Sequence, residues 1–408
     1  MTFATGSFGQ LRYVQETVRG VTPTTGNGTN LRMTKPTMKA SIATVKSQVI
    51  RPDRLSSGNT RVDQNVDGGF EFELSAKEYD PFLSGVVGSD LAHYGVLGLG
   101  TTFSLSTAAL LLTAAVAPTA NSAFSVIPNG GWFKLVPPAG QSAAILAYFR
   151  DTWFKADSTT GTTIVLNAST PVVAPGLGLT AVAGYAVARS SMQNGTTRKT
   201  FSFEHDLTDA TSKLLYAGME PNTLELKLEV GQILTGSFGF IGQSHVVRDG
   251  ASWLPGSPVA SQAYDVMNAV TDVGTVVENG VNLLATGSFI KSMTLNINNN
   301  ARGQKAVGVF GNAGVGLGEM EISGTMQVYF ENSNYYAKWL NGVQTSLAVG
   351  FADQFGNGYL IEFDKVAFRD GGLNPGGNSD DVMLDLPFDA FYNTTTGRSI
   401  RITRALAA

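Results

Sequence analysis

One stretch of this sequence, GFEFELSAKEYDPFLSGVVG at residues 69–88, changes its hydrophobic period halfway along. In its first part apolar residues alternate with glutamates, and this period of two predicts a strand with one buried face. In its second part the apolar residues fall on one stripe at helical spacing, which predicts a short helix. The residues that set the two periods are Phe70, Phe72 and Leu74 in the strand and Tyr79, Phe82, Leu83, Val86 and Val87 in the helix. We take this strand–helix corner as the unit around which the chain is organised.

The start of this helix can be placed in two ways. Ser75 followed by Glu78 matches a capping box and would start the helix directly after the serine, but Pro81 fits poorly inside that longer helix. Asp80 as the N-cap, with Pro81 at the first helical position, gives a shorter helix without this conflict. Gly88 is a suitable end in both cases.

The same unit occurs a second time, as GTMQVYFENSNYYAKWLNGV at residues 324–343. Met326, Val328 and Phe330 alternate as the apolar residues of the first strand do, and bulky residues then return at helical spacing. The helical matches are Tyr336, Trp339, Leu340, Gly342 and Val343 against Tyr79, Phe82, Leu83, Gly85 and Val86, with one extra residue in the strand-to-helix joint. The later predicted strands also follow in the same order, at Phe201, Leu224 and Ile233 in one copy and at Leu347, Leu360 and Val382 in the other. We therefore predict two copies of one β-rich domain.

Length and composition limit the class of protein. A chain of 408 residues suits two or three domains, and 43% hydrophobic residues suffice for packed cores. Only 15% of the residues are charged and 47 are glycine, which suits an all-β protein whose surface is largely covered by like neighbours. The net charge of −4 provides no general attraction to nucleic acid. Because cysteine is absent, disulfides, thiol nucleophiles and thiolate metal sites are excluded.

The sequence also indicates the cellular compartment in which we expect the protein to fold. Residues 1–15 lack the basic start and continuous apolar core of a signal peptide. The most apolar run, residues 108–117, is too short to span a bilayer. We expect the protein to fold in a cytoplasm, with no membrane partner.

Changes in composition and pattern divide the chain. Its first residues are rich in Thr, Gly and Asn and predict an extended arm that needs another surface to order it. The predicted order is an N-terminal arm at residues 1–35, a first domain in two parts at 36–101 and 196–245, an inserted small β-domain at 102–195, a connector at 246–286 and a second domain at 287–408.

Two regions receive more detailed predictions. Turn signals in the inserted domain separate five predicted strands, at residues 124–127, 132–136, 143–149, 163–166 and 179–187. After the insert we predict a short helix at residues 209–217. A half-exposed strand then follows, in which Leu224, Leu226, Leu228 and Val230 alternate with Glu225, Lys227 and Glu229.

Several segments carry a resemblance to a known family. They are LRYVQETVRGVTP at residues 11–23, the corner at residues 69–88, and NGTTRKTFSFEHDL…LLYAGM at residues 194–219 running into ILTGSFGFIG at 233–242. These segments resemble tail tube proteins of long, non-contractile-tailed (siphovirus-type) bacteriophages, and the resemblance covers nearly the whole chain, including the inserted domain. It implies a mainly β protein with two tandem tail-tube-type β-sandwich or barrel domains, each with a short helix, plus the insert.

The resemblance implies a structural virion protein without enzymatic activity or cofactor. Such proteins form rings whose sheets join into a continuous inner β-barrel, and stacked rings make the channel through which the genome passes. The common ring has six single-domain subunits, whereas relatives with a duplicated domain form a pseudo-sixfold ring from three, which the internal repeat favours here. The implied partners are other copies of the chain, the tape measure protein, tail-end proteins and double-stranded DNA in transit without specific binding. The implied location is the virion tail, assembled in the bacterial host cytoplasm, with the insert decorating its outside.

A channel for DNA needs a surface that does not hold phosphates, so an acidic or neutral lumen is physically sensible. Glu71 and Glu73, or Glu225 and Glu229, lie on predicted exposed strand faces and could line it. Ordinary solvated strand faces explain each pair equally well.

No catalytic, cofactor or metal site is predicted. The histidines, His93, His205 and His245, are not at ligand spacing. GNAGVGLG at residues 311–318 lacks the ending of a P-loop and leads into a strand, so we interpret it as a loop that orders against a neighbouring ring.

Two other sequence patterns are explained by ordinary structural roles. Glu71 and Glu73 point the same way on one strand and cannot flank a sugar from two sides, as glycoside hydrolysis requires. Tyr335, Tyr336 and Trp339 could form a sugar-binding platform, but their helical spacing is more typical of a core.

Two functional hypotheses from different classes follow. The first is a self-assembling tube protein of a phage tail, which rests on the internal repeat, the low charge and the resemblance. The second is a β-sandwich binding module of the tail, for decoration or for receptor or carbohydrate recognition, and the inserted domain is the feature that favours it. An enzyme is a distant third.

Overall fold

The protein was analysed as a computed structural model, which describes residues 5–97, 102–106, 111–114, 124, 127–136, 142–167, 182–183, 186–286, 289–375, 377 and 380–406. Antiparallel strands dominate these residues, so the predicted mainly β fold is confirmed. Within these ranges no helix combines the length and the apolar character needed to cross a membrane.

The elements fall into three groups in chain order, which we call the first half, the inserted segment (or insert) and the second half. The first half begins with a 3₁₀ turn (Gly6–Phe8) and β1 (Gly9–Gln15), β2 (Thr29–Leu31), β3 (Lys35–Pro36), β4 (Lys39–Lys46), β5 (Asn59–Glu73) and α1 (Asp80–Val87). The inserted segment comprises β6 (Ala92–Leu97), β7 (Thr102–Ser106), β8 (Leu111–Ala114), β9 (Trp132–Val136), α2 (Ala143–Asp151), β10 (Phe154–Thr159), β11 (Thr163–Leu166), β12 (Val182–Ala183) and β13 (Ala186–Gln193). The first half resumes with β14 (Phe201–Leu207), β15 (Ser212–Glu229), β16 (Thr235–Gly242) and β17 (Ser244–Asp249).

The second half contains all the remaining elements. They are β18 (Val273–Glu278), β19 (Val281–Asn282), α3 (Leu283–Thr286), β20 (Ile290–Asn298), β21 (Arg302–Gln304), β22 (Gly314–Gly316), β23 (Glu321–Tyr329), α4 (Asn334–Leu340), β24 (Thr345–Ala352), β25 (Gly358–Phe368), β26 (Gly372–Asn374), β27 (Met383–Ala390) and β28 (Ile400–Ala405). Part of this half, β18 and β19, lies in the range predicted as a connector.

The long strand β15 joins the two sheets of the first half. Its N-terminal part pairs with β14 and β17, and its C-terminal part pairs with β16 and with β20 of the second half. Gly218 lies between the two parts with φ of +68°, a conformation that glycine adopts without strain. A Cβ there would lie 2.6 Å from the Cβ of Gln243, so the bend leaves no room for a side chain.

The strands of both halves pair in the same order. In the first half the antiparallel neighbours run β1, β14, β15, β16, β5, β4. In the second half they run β18, β24, β25, β27, β23, β20, with a helix after β23 as α1 follows β5. The outer strand β17 beside β15 likewise corresponds to β28 beside β25. One pattern of pairing therefore occurs twice along the chain.

The first strand–helix corner forms as its two hydrophobic periods predict. The rings of Phe70 on β5 and Phe82 on α1 pack at 5.2 Å between centroids, and both side chains are fully buried. The helix begins at Asp80, near the later of the two predicted starts, with Tyr79 in the N-cap position. It ends at Gly88, whose φ of +72° and N–H to the Ser84 carbonyl oxygen form a left-handed cap.

Two predicted elements are wrong. Residues 143–149, predicted as a strand, belong to helix α2, because Ser142 caps the helix by accepting from the Ile145 N–H and the following alanines favour helix. Residues 209–217, predicted as a helix, form a turn with positive φ at Thr211 and then the start of β15, where pairing on both edges overrides local helical spacing. In the inserted domain, the predicted strands at 132–136 and 163–166 are present, whereas parts of 124–127 and 179–187 lie outside the described residues.

The segment predicted as an N-terminal arm finds its ordering surface within the chain. Strand β1 pairs along its whole length with β14, and β2 pairs with β1. Leu11 and Leu31 are buried in the main core. Strands β1 and β2 of this segment are therefore part of the first sheet, and each buries an apolar residue on the face that points to the core.

One large core runs through both halves, and the insert adds a second. The main core includes Phe70, Phe82 and Phe238 of the first half and Met326 and Phe388 of the second. The insert has its own core, with residues such as Phe133 and Ile164. A third cluster joins insert to second half, where Trp132 and Trp153 pack against Ala348 and Leu360. The insert therefore interrupts the first half in sequence but docks on the second half in space.

Candidate functional site

A continuous sheet crosses the boundary between the two halves. Its strand order is β4, β5, β16, β15, β20, β23, β27. The crossing point is the antiparallel pair β15·β20, whose register runs from Thr223–Asn298 to Glu229–Ser292. There Leu224, Leu226 and Leu228 of one half face Ile297, Leu295 and Met293 of the other, and these side chains belong to the main core. We call this pair the internal seam.

The face of this sheet that points away from the core is polar along its whole width. Side chains of directly opposed residues lie on the same face of a sheet. One row of such residues is Glu71, Ser237, Glu225, Asn296, Ser323 and Asp389. The next row is Glu73, Thr235, Lys227, Thr294, Thr325 and Pro387. All twelve are half-buried or exposed, and we call this surface the polar face.

The four glutamates singled out in the sequence meet on the polar face. Glu71 and Glu225 lie in one row on either side of Ser237, and Glu73 and Glu229 follow on the same strands with the period of two that keeps them on that face. Some carboxylates have exposed cations beside them, in the pairs Lys35–Glu71 at 3.7 Å, Lys227–Glu225 at 3.1 Å and Arg369–Asp389 at 3.2 Å. Such exposed pairs contribute little to stability, so they mainly adjust the charge of the surface. The polar face is acidic to neutral.

Both ends of the continuous sheet are open edges. Among the described strands, β4 pairs only with β5, so its outer edge has no partner. At the other end, β25 and β26 pair with β27 on one side, while the opposite side beyond Val366, at residues 367–374, has no described partner. In the shared order of pairings β4 corresponds to β20 and this open edge corresponds to the C-terminal part of β15. The two open edges therefore match the two strands of the internal seam.

Apolar side chains lie exposed at both open edges. Ile42 on β4 is 43% exposed and sits opposite Gln64, on the side of the sheet that faces the core. Leu373 on β26 is also 43% exposed and sits opposite the buried Leu384. Edge strands that carry exposed apolar residues are a liability for an isolated chain and a ready surface for pairing with another.

The two helices of the corners differ in their covering. In α1, Phe82, Leu83, Val86 and Val87 are buried, and Asp80 binds Arg404 and accepts a hydrogen bond of 2.7 Å from Tyr359 of the second half. In α4 no residue is fully buried. Helical spacing suggested that the aromatic residues of α4 would be core, but they are half-buried. The ring of Trp339 packs over Gly371, which lies beside the open edge.

The two ends of the continuous sheet along the strand direction also differ. The β4–β5 and β20–β23 turns lie at the same end, because their strands alternate in direction across the internal seam. Both turns carry exposed apolar residues, among them Ile50 at 96% and Val307, which is fully exposed. At the opposite end Val230, Val270, Leu284 and Phe289 border an apolar groove. Residues 314–316 of the glycine-rich loop form β22 and pair with β21, and no helix follows that could hold an anion.

The histidines are not brought together. His205 lies on β14, and burial lowers its pKa below the ordinary value. His245 lies on β17, where its Nδ1 is 3.0 Å from the Leu215 carbonyl oxygen and burial likewise lowers its pKa. His93 lies on β6 opposite Ser190. In the described ranges of the chain no group of three potential metal ligands occurs.

Sequence reasoning alone missed several features of this surface. The open edge at residues 367–374 had no sequence signal, because an edge is defined by what does not pair with it. The correspondence of this edge and of β4 to the two strands of the internal seam was equally hidden. The Asp80–Arg404 contact joins residues far apart in sequence and was equally hidden. The internal repeat was the available signal, since a strand paired in one copy predicts an equivalent in the other.

Comparison with known proteins identifies a family. Residues 6–390 match the family model described as "Phage tail tube protein". A comparison with curated proteins finds none that is significantly similar. The match runs from the first 3₁₀ turn to the end of β27, includes the insert, and agrees with the mainly β fold. This chain belongs to the phage tail tube protein family, whose members are structural proteins of the virion tail.

Proposed function

We propose that copies of this chain close into rings, that the rings stack into the tail tube, and that the phage genome passes through it into the host cell. The observation that carries this proposal is the internal seam. Its two strands have counterparts, β4 and residues 367–374, at the open edges of the same sheet. Pairing β4 of one copy with residues 367–374 of the next repeats the seam between chains and leaves no edge when the ring closes.

The repeated pairing order favours a ring of three copies. Each chain supplies two tube domains, an internal seam and one seam with the next copy, so three chains give six quasi-equivalent positions. The two proposed tube domains comprise residues 36–101 with 196–245 and residues 287–408. Strands β1 and β2 add to the first of them and β18 and β19 to the second. Across the seam between chains, Ile42 and Leu373 would continue the apolar contacts that Leu226 and Leu295 make in the internal seam.

The polar face becomes the wall of the channel in this arrangement. Its rows of Ser, Thr and Asn with scattered carboxylates offer no cluster of cations to hold DNA phosphates, which favours transit without specific binding. The exposed turns at one end and the apolar groove at the other favour head-to-tail stacking of rings. The insert, docked behind the second half, would decorate the outside of a siphovirus-type tail assembled in the bacterial cytoplasm. The tape measure protein and tail-end proteins are the further proposed partners.

The test is negative-stain electron microscopy over a concentration series, with rotational averaging of end-on views. We expect rings or tubes with threefold features in a pseudo-sixfold wall. Ile42→Glu combined with Leu373→Glu should abolish them, because charges at a seam are costly to bury. Ser158→Glu, at an exposed residue of β10 in the insert, is the control and should assemble normally.

Other outcomes discriminate between the alternatives. A true sixfold ring would retain the tube and contradict the three-copy ring. Discrete particles without an axial channel at any concentration would favour the second hypothesis, a binding module of the tail.

A further inference from the structure

A cavity of about 220 Å³ lies where the insert meets the β24–β25 turn of the second half. An engineered apolar cavity of about 150 Å³ suffices to hold benzene, so this space could hold a ring and a small polar group. The wall consists mainly of side-chain carbon from Leu135, Val136, Leu146, Phe149 and Phe355. Leu146 and Phe355 are partly exposed and border the opening, whereas Leu135 and Phe149 are buried.

Three polar side chains also line this cavity, those of Lys134, Arg150 and Gln354, and Lys134 is the most buried of them. Lys134 on β9 is 2% exposed, and its Nζ donates to the carbonyl oxygens of Arg150 and Gly356, the latter at 3.4 Å. The Nζ also lies 5.2 Å from the centre of the Trp153 ring. A lysine ammonium has three donors, so these two acceptors leave one proton for another partner.

No carboxylate in the described part of the chain forms an ion pair with Lys134. The charged groups that face it are Arg150 and Asp151 at the end of α2 and Asp353 in the β24–β25 turn. Asp151 is engaged by the Arg150 guanidinium at 2.6 Å. Asp353 accepts from the Asn357 side chain at 2.9 Å and from the backbone N–H of Phe355 at 2.9 Å. A buried ammonium without its own counter-ion is costly, and burial lowers the pKa of Lys134 to about 7.

We propose that this cavity binds a small monocarboxylate with an apolar body. The carboxylate would accept the remaining Lys134 proton and supply the missing counter-charge, while the body fills the space between Leu135, Phe149 and Phe355. The site lies in the insert and its joint with the second half, away from the open edges of the sheet. Ligand binding at this site can therefore be tested separately from ring assembly.

The experiment measures ligand binding to the full-length protein by isothermal titration calorimetry. Benzoate is the probe, with benzyl alcohol and benzylamine as matched ligands of the same shape. At pH 6 we expect benzoate to bind at least about tenfold more tightly than benzyl alcohol, because a charge-assisted hydrogen bond adds to the same apolar contact. Between pH 6 and pH 9 benzoate affinity should fall at least about tenfold as Lys134 loses its proton.

Two variants distinguish the contribution of the Lys134 amine to binding from that of the cavity volume. Lys134→Met should lower benzoate affinity to the level of benzyl alcohol while keeping the cavity, and Leu146→Trp should fill the opening and weaken both ligands. Lys35→Met, at an exposed lysine of the first half, should change neither. If Lys134→Met does not fold, Leu146→Trp and the pH series still decide the matter. No benzoate binding at pH 6, or equal binding by wild type and Leu146→Trp, would overturn the proposal.

Discussion

The two strand–helix corners have the same sequence pattern and different surroundings. Around the first corner, α1 is buried between the halves, and Asp80 holds Arg404 and Tyr359 of the second half. Around the second, α4 is only half-buried, and Ala337 stands where the first helix has Asp80. The first corner lies beside the internal seam and the second beside an open edge. In the proposed ring another copy would complete the second corner, as the chain itself completes the first.

The outer layers of the halves differ in the same way. In the first half, Trp253 of the connector donates its backbone N–H to Glu204 on β14 and stacks under Arg248 at 3.9 Å. In the second half the insert covers the corresponding layer, where Trp132 donates to Glu362 on β25 at 3.2 Å. Strand β13 of the insert also pairs with the outer edge of β28, whereas the corresponding edge of β17 has no described partner strand. The outer layers of the two halves are thus covered by different segments of the chain, the connector in the first half and the insert in the second.

The largest expected loss of stability comes from truncating an aromatic residue of the first corner, and the equivalent truncation in the second corner serves as its comparison. Phe82→Ala should lower the free energy of unfolding by about 3–5 kcal/mol, because the side chain is fully buried in the main core. Trp339→Ala should cost about 1 kcal/mol in dilute protein, since this ring is half-buried and its Nε1 lies 3.3 Å from the Arg369 carbonyl oxygen. Urea denaturation at low protein concentration measures both.

The effect of the same variants on ring assembly is a second test of the difference between the two corners. Trp339→Ala should raise the concentration at which rings form, because α4 is expected to contact the next copy. Equal losses of stability from the two truncations, with no effect of Trp339→Ala on assembly, would remove the proposed distinction between the corners.

A smaller effect, about 3 kcal/mol, is expected from Asp80→Ala, which makes the first helix resemble the second. It removes the acceptor of both Arg404 and Tyr359 and leaves the buried guanidinium without this carboxylate. Burial, with the Asp80 charge, raises the pKa of Tyr359 well above its ordinary value, so its hydroxyl remains a donor at neutral pH. Chemical denaturation monitored by tryptophan fluorescence is the measurement.

The matched control for this change is Ala337→Asp in α4. It should alter stability by no more than about 0.5 kcal/mol, because the site is not fully buried. A loss as large as that of Asp80→Ala would mean that helical position, and not the contact between halves, determines the cost.

The smallest effect on stability is expected on the polar face. The chain lacks cysteine, so Glu225→Cys and Asp389→Cys each introduce a single thiol, one per half, in one row of the sheet. Each should change stability by about 0.5 kcal/mol or less. Both should react with a bulky polymer-linked maleimide in dilute protein and be protected in assembled tubes, as residues inside a narrow channel would be.

Asp157→Cys, at an exposed residue of the insert, is the control and should react in both states. Protection of Glu225→Cys with full reactivity of Asp389→Cys would falsify a channel wall built equally from the two halves.

Much of the architecture could be predicted because its causes are local. The alternation around Phe70 and Met326 predicted β5 and β23, and the stripe from Tyr79 to Val87 predicted α1. The predicted helix at residues 209–217 is wrong because these residues supply the start of a strand that is paired on both edges. Within the segment predicted as an arm, residues 9–15 form β1, and its pairing with the distant β14 has no local signal either.

The sequence by itself determined the β-rich class, the repeated corner, the acidic alternation of Glu71, Glu73, Glu225 and Glu229, and the absence of thiol chemistry. These follow from hydrophobic period and composition, which act between neighbours along the chain. Only the tertiary structure decided that the four glutamates share one face, that the insert docks on the second half, and that the ends of the continuous sheet match its internal seam. Those features depend on which strands pair across hundreds of residues, and on which edges lack a partner among the described strands, so no local pattern encodes them.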